Sequence, residues 1–297
     1  MFGFININKP QSMTSFDVVA VLRKITHIRQ IGHTGTLDPF ATGVLPICIG
    51  KSTKLIEYLP DDKEYIATVQ FGANTDTYDL EGEVTQTFDK KITPKDAENI
   101  LKDFEGEIEQ IPPIYSAIKI KGKKLYEYAR EGKEVEIKPR KVLIKSIELV
   151  SFDYENQRAK LQIACSKGTY IRSIAYDIGK KLSCGGHLIA LERTKAGMFN
   201  IEKSIYLEDI KSIEDIENNL INPLDVVPIA QYQLNETEKE KVSHGMSIFI
   251  NPHPTPLPSL RARANQEIVF LVCGDKIHAI GMVTEDKIVV KKVFEVL

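Results

Sequence analysis

Tryptophan is absent from the 297-residue chain, and cysteine is nearly so. The four cysteines (Cys48, Cys165, Cys184, Cys273) form no Cys-x-x-Cys pair and have no nearby histidine pattern. That argues against zinc and against a disulfide framework, and it fits a reducing compartment. No apolar run approaches the ~20 residues needed to cross a bilayer. The opening Phe2 to Pro10 is too short and too polar for a signal peptide. Strong net charge is also missing: 39 Lys and Arg against 41 Asp and Glu leave −2. Any basic surface for nucleic acid or membrane must therefore be local. The chain reads as soluble and cytoplasmic, with no metal centre.

What the chain does have is an ordinary globular composition, 42% hydrophobic and 27% charged, long enough for a large domain with a smaller one. Gly32 to Pro46 packs three glycines, two prolines, three threonines and one carboxylate, Asp38, into fifteen residues. Glycine permits backbone conformations closed to other residues, and proline fixes φ. Edged by Val44, Leu45 and Ile47, this stretch is a shaped loop rather than a linker. Asp38 is either a turn aspartate before Pro39 or an aimed functional carboxylate. His33 beside it invites a hydrolase reading, but no Gly-x-Ser-x-Gly elbow occurs.

Around this loop, Phe2–Ile7 alternates as a strand, and Thr14-Ser15 caps a helix carrying Val18, Val19, Leu22 and Ile25. Thr53–Leu59 reads as a helix and Lys63–Phe71 as a strand. Gly72–Gly82 is a second loop, lacking the spacing of a calcium-binding EF-hand. Thr93 and Pro94 start a helix through Phe104. Val142–Phe152 and Ala159–Cys165 form an antiparallel pair, followed by a helix from about Tyr170 to Leu182. That helix puts Arg172 in its first turn, where the helix dipole disfavours a cation, so an anionic partner is expected. His187–Phe199 reads as a further strand pair or as strand and turn, and Glu208–Asn219 as an acidic helical stretch. Pro223 and Pro228 mark a boundary, giving domains 1–228 and 229–297. The second is strand-rich, interrupted by a proline-rich insert from Pro252 to Pro258, the pattern of a small β-barrel.

From Lys119 to Lys145 ten basic residues face four glutamates, with Tyr126 and Tyr128 interleaved and Tyr115 just before. Such a run is either a solvated hairpin and helix or a surface for an RNA backbone and its bases.

Four stretches in register resemble one family, the TruB-type tRNA pseudouridine synthases. They are Gly32-His33-Thr34-Gly35-Thr36-Leu37-Asp38-Pro39; Lys63-Glu64-Tyr65 with Thr75-Asp76-Thr77, Asp79 and Gly82; Pro112-Pro113 with Tyr115-Ser116-Ala117 and Lys119; and Ser166-Lys167-Gly168-Thr169-Tyr170-Ile171-Arg172. The C-terminal segment is similar to a PUA domain, a small RNA-binding barrel. Two positions depart from the family's usual pattern: Ser12 replaces a glycine and Glu192 a basic residue.

The resemblance implies an α+β fold with a mixed, largely antiparallel central sheet flanked by helices, plus the PUA-like barrel. It implies isomerisation of uridine 55 in the T-loop of tRNA to pseudouridine, by a monomer needing no cofactor. Asp38 would be the catalytic carboxylate, attacking the sugar or the base or acting as a base. Arg172 would keep it ionised, and Tyr65, also in the catalytic set, would lie on the uracil face with its hydroxyl helping to move a proton. Tyr170 and Leu191 would wall the pocket. His33 would fill space left by the flipped nucleotide, while Lys9 and the basic run would contact phosphates. Asp79 would belong to the substrate-binding set. A non-catalytic RNA-binding protein or tRNA chaperone on the same fold is the alternative.

Overall fold

The protein is described by a computed structural model covering residues 1–116, 118–120, 122–133, 135–250 and 267–294. Ala117, Lys121, Glu134 and the Pro252–Pro258 insert lie outside the described residues, as do the side chains of Lys124, Tyr126 and Arg130.

The chain opens with β1 (Gly3–Lys9), α1 (Ser15–Thr26), β2 (Ile31–His33) and β3 (Thr42–Ile49). After a 3-10 turn over Gly50–Tyr58 come β4 (Lys63–Phe71), β5 (Ala73–Thr75), β6 (Val84–Thr87), α2 (Pro94–Leu101) and β7 (Gly106–Gln110). The basic segment forms a hairpin, β8 (Lys119–Ile120) and β9 (Lys123–Lys124), and a short α3 (Leu125–Arg130). Then follow β10 (Arg140–Asp153), β11 (Arg158–Cys165), α4 (Ile171–Lys181), β12 (Gly186–Ala196), β13 (Phe199–Asn200) and β14 (Ile205–Tyr206). The caps are those expected: Thr14 and Thr93 each form a capping box with an aspartate three residues on, and Pro94 opens α2.

The main sheet runs β14-β1-β3-β12-β4-β11-β10-β7, with β2 on β3 and β13 on β12. Only β1–β14 and β3–β12 are parallel, so the sheet is mixed and largely antiparallel. Period-2 alternation decides which side each residue serves. In β4, Tyr65, Ala67, Val69 and Phe71 are buried while their neighbours are half-exposed. In β3 both faces are covered: Leu45, Ile47 and Ile49 pack into the main core with α1, whereas Val44 and Cys48 turn to the other face. A strand buried on both faces reads as a continuous apolar run, as Val44–Ile49 does.

The C-terminal segment folds as a curled five-stranded sheet, β15 (Ala230–Gln233), β16 (Ile248–Phe249), β17 (Ile268–Cys273), β18 (Lys276–Val283) and β19 (Lys287–Val293), in the order β15-β17-β18-β19-β16. Its Phe270, Val272, Ile277, Ile280 and Phe294 share one apolar cluster with Phe4, Val44 and Cys48 of the first sheet and Leu55 of the 3-10 turn. Lys51 Nζ donates to the Phe294 carbonyl, and Lys292 pairs with Glu57. The two sheets are therefore joined by a common core. All four cysteines are free, and burial pushes the Cys48 thiol up to about 12. Among the described residues no helix is long and apolar enough to cross a membrane.

Candidate active site

Asp38 sits near the tip of the loop from Thr34 to Ala41 that joins the antiparallel strands β2 and β3. On either side Leu37 and Phe40 are sunk into the core, each 4% exposed. Between these two anchors the Asp38 side chain keeps 32% exposure. The backbone turns tightly after it, Ala41 N donating to the Asp38 carbonyl at 3.1 Å. The Ser15 hydroxyl accepts from Leu37 N at 2.8 Å, and Ser12 N donates to the Pro39 carbonyl at 2.9 Å. Ser12 has φ +66°, the left-handed conformation in which glycine is cheaper, and it is there that the chain departs from the family's usual glycine.

Arg172 meets the carboxylate side-on. Its Nε stands 2.9 Å from Asp38 Oδ2, and its Nη2 donates to Asp38 Oδ1 at 3.1 Å. The rest of the guanidinium is held from behind: Nη1 donates to Asp79 Oδ2 (3.1 Å) and the Thr77 carbonyl (3.2 Å), and Nη2 to the Tyr115 carbonyl (3.0 Å). Arg172 is buried in the first turn of α4, where sequence placed it, and its anionic partner is a carboxylate pair. A planar fork bound this way fixes the plane of the carboxylate as well as its charge. Burial raises the Asp38 pKa above the ordinary carboxylate value, Arg172 opposes that, and Asp79 adds to it.

Two residues sit differently from expectation. Lys9 is not a phosphate contact: it is fully buried, and its ammonium donates to the carbonyls of Pro10 (2.8 Å), Met13 (2.6 Å) and Pro39 (3.1 Å). Burial lowers its pKa to about 8, partly offset by Asp38. Its work is to tie the end of β1 to the Asp38 loop. Asp79, at 3% exposure, is closed off from a substrate and instead anchors Arg172. It is itself fixed by the Thr77 hydroxyl (2.6 Å) and Glu81 N (3.0 Å). Gly82 is required beside this turn, since a Cβ would stand 2.2 Å from Thr77 Oγ1.

Tyr65 lies on β4 opposite Arg193 of β12, 6% exposed, with its hydroxyl facing the Arg193 guanidinium. Burial raises its pKa and Arg193 counteracts. Leu191, 7% exposed, is two residues before Arg193 on the same side of β12. Tyr170, half-buried, precedes α4; Gln110 clamps it, accepting from Tyr170 N (2.8 Å) and donating to its carbonyl (2.9 Å). His33 ends β2, half-buried, and its Nδ1 is buried without a hydrogen-bond partner among the described residues. Burial and the nearby Arg193 lower its pKa, so the imidazole is neutral at pH 7.

Sequence reasoning missed Arg193 itself. Its signal was available: on β12 the inward slots alternate, and Arg193 falls in the slot after Leu191. The basic run is less free than its composition suggests. Lys123 and Lys133 pair with Glu131, Lys141 with Glu107 and Lys145 with Asp62. No group of three or more metal-ligating side chains occurs among the described residues.

The arrangement is a partly exposed carboxylate, oriented by a buried guanidinium. The family described as TruB family pseudouridylate synthase (N terminal domain) matches residues 23–171, and the tRNA pseudouridylate synthase B C-terminal domain matches residues 172–227. The chain is 52% identical over 223 residues to the tRNA pseudouridine synthase B of Clostridium tetani, covering 74% of this chain and 76% of that one. It is 47% identical over 250 residues to that of Francisella philomiragia, covering 80% of each. In structure it is similar to a chain of a Cbf5-Nop10-Gar1 complex, with a TM-score of 0.68 at 25% identity over 99% of this chain and 84% of that one. The site, the fold and these likenesses agree: the chain belongs to the TruB family of pseudouridylate synthases.

Proposed function

We propose that this protein isomerises uridine 55 in the T-loop of tRNA to pseudouridine, with Asp38 as the catalytic carboxylate. The reaction breaks the N1–C1′ bond and joins C5 to C1′ of the same ribose. The proton lost from C5 is balanced by one gained at N1, so no oxidant, reductant or added group is needed. What the chemistry requires is an aimed anion at the junction of ribose and base. The observation that carries this reading is the Asp38 carboxylate, part-exposed at the loop tip and gripped on both oxygens by Arg172.

The target base must leave its stack to reach Asp38, at a cost of a few kcal/mol. The neutral ring of His33 at the rim suits the vacated stacking position. Tyr65, Tyr170 and Leu191 border the pocket for the uracil. The tRNA partner is engaged through its T-arm by a monomer in the cytoplasm.

The test is release of tritium from tRNA carrying uracil labelled at C5. The wild type releases label from a single uridine, while Asp38→Asn, with deamidation excluded, releases none. A wild type that binds tRNA but releases no label is a non-catalytic binder, and the proposal fails. Full release by Asp38→Asn removes Asp38 from its role.

A further inference from the structure

Arg193 is 1% exposed, and among the described residues no carboxylate lies within ion-pairing distance of it. A buried cation without an anion is costly unless its hydrogen bonds are filled. They are filled by main-chain oxygens. Nε donates to the Val44 carbonyl (2.7 Å), Nη1 to Thr36 (3.3 Å) and Nη2 to Gly35 (3.1 Å). Gly35 and Thr36 lie on the entering arm of the loop, and Val44 on the leaving arm. Asp38 is at the bend between them.

The backbone of Arg193 is equally placed. It pairs with Gly43 of β3 in parallel register and with Tyr65 of β4 in antiparallel register. At Gly43, with φ +98°, a Cβ would stand 2.3 Å from the Arg193 carbonyl oxygen, so β12 can press against the loop only because that position is glycine. Finally, the Tyr65 hydroxyl faces the same guanidinium. One side chain thus bonds both arms of the loop that carries the carboxylate, from a residue paired with the tyrosine beside it.

We propose that Arg193 is a positioning residue that fixes the separation between the Asp38 carboxylate and the Tyr65 hydroxyl. It does this by tying both arms of the loop to the strand that lies against Tyr65. This rests on the isomerase reading above. No other side chain bonds the carbonyls of both arms among the described residues: of the loop carbonyls Lys9 reaches only Pro39, and Ser15 only Leu37. Arg172 acts on the carboxylate, and Arg193 acts on the backbone under it. Lysine in its place would keep the charge but lose the planar fork whose separate nitrogens reach the two arms, and glutamine would also remove the charge beside Tyr65.

The test measures single-site kinetics of tritium release by full-length Arg193→Lys and Arg193→Gln, alongside binding of a T-arm stem-loop. A displacement of about 1 Å at a reacting group costs about 100-fold in rate, and that loss is expected in kcat for Arg193→Gln, with KM within about threefold of wild type. Arg193→Lys recovers part of it, and stem-loop affinity is unchanged in both. The inference is overturned if either variant keeps the wild-type kcat, or if the loss falls on KM and stem-loop affinity instead. It is also overturned if neither variant recovers the wild-type near-UV circular dichroism, since Arg193 is then needed by the whole fold. A wild type that releases no tritium would sink the isomerase reading, a result distinct from any of these.

Discussion

Two buried arginines flank the same loop and are neutralised in opposite ways. Arg172 stands between two carboxylates, Asp38 and Asp79, and spends its remaining donors on the Thr77 and Tyr115 carbonyls. Arg193 bonds only carbonyls. The difference is that of a cation paired with carboxylates and a cation bonded to backbone. Removing the first leaves two close carboxylates without a counter-charge; removing the second leaves dipoles without donors. The electrostatic consequences therefore differ in kind, and pH is the variable that separates them.

The largest effect belongs to Arg172→Met. Breaking a buried ion pair by removing one partner costs about 3–5 kcal/mol of stability, because an uncompensated charge stays behind. Here the remaining pair relieves itself by taking up a proton. Asp38 already has a raised pKa from burial, held back by Arg172, so losing that cation raises it further. On the proposed role of Asp38 the ionised carboxylate is the active form, so the acid limb of the kcat/KM profile is expected to move to higher pH. At pH 7 the loss is about 1000-fold, the scale of deleting a preorganised donor at a reacting charge. An acid limb left in place would show that Arg172 does not hold the charge of Asp38.

Asp79→Asn tests the other side of the same fork. One hydrogen bond to Arg172 Nη1 is weakened, worth about 1.4 kcal/mol, and about tenfold in rate. The sign of the pH effect is the reverse of the previous one. The Asp79 carboxylate raises the Asp38 pKa, so its removal moves the acid limb to lower pH even as kcat falls. Arg193→Gln, acting through the backbone, should leave that limb where it was. A shift of equal size in both variants would erase the distinction between the two arginines.

How much of this was legible beforehand depends on what each residue pairs with. Asp38 and Arg172 were visible because each was out of place locally: a lone carboxylate among glycines and prolines, and a cation at a helix start. The capping residues and the alternation of β4 follow from local pattern and were equally readable. Lys9, Asp79 and Arg193 were misassigned or passed over for one reason. The partners that tie them to the Asp38 loop or to Arg172 (Pro39 for Lys9, Arg172 for Asp79, Val44 and its loop neighbours for Arg193) are 30, 93 and 149 or more residues away, and for Lys9 and Arg193 they are carbonyls. Side-chain composition carries no record of a backbone oxygen. The junction of the two sheets was hidden likewise, because Val44 and Cys48 look like core residues whichever core they serve.

Lys9 is the third buried cation beside the loop, and the smallest effect on activity is expected from changing it. Lys9→Met leaves the Pro10, Met13 and Pro39 carbonyls without their donor, a penalty of about 1–3 kcal/mol in unfolding free energy. Its folded-state pKa of about 8 lies below the ordinary value of 10.5. Between those pH values the unfolded chain binds a proton that the folded chain has released, so this group makes the wild type more stable as pH rises. The stability difference between wild type and Lys9→Met, followed by chemical denaturation from pH 7 to 10, should therefore widen with pH. Binding of tRNA should weaken with salt at the same slope in both, since every phosphate that a cation neutralises adds about 0.7–0.9 to that slope. A slope reduced by about one in Lys9→Met would return Lys9 to the phosphate-binding role that its burial denies it.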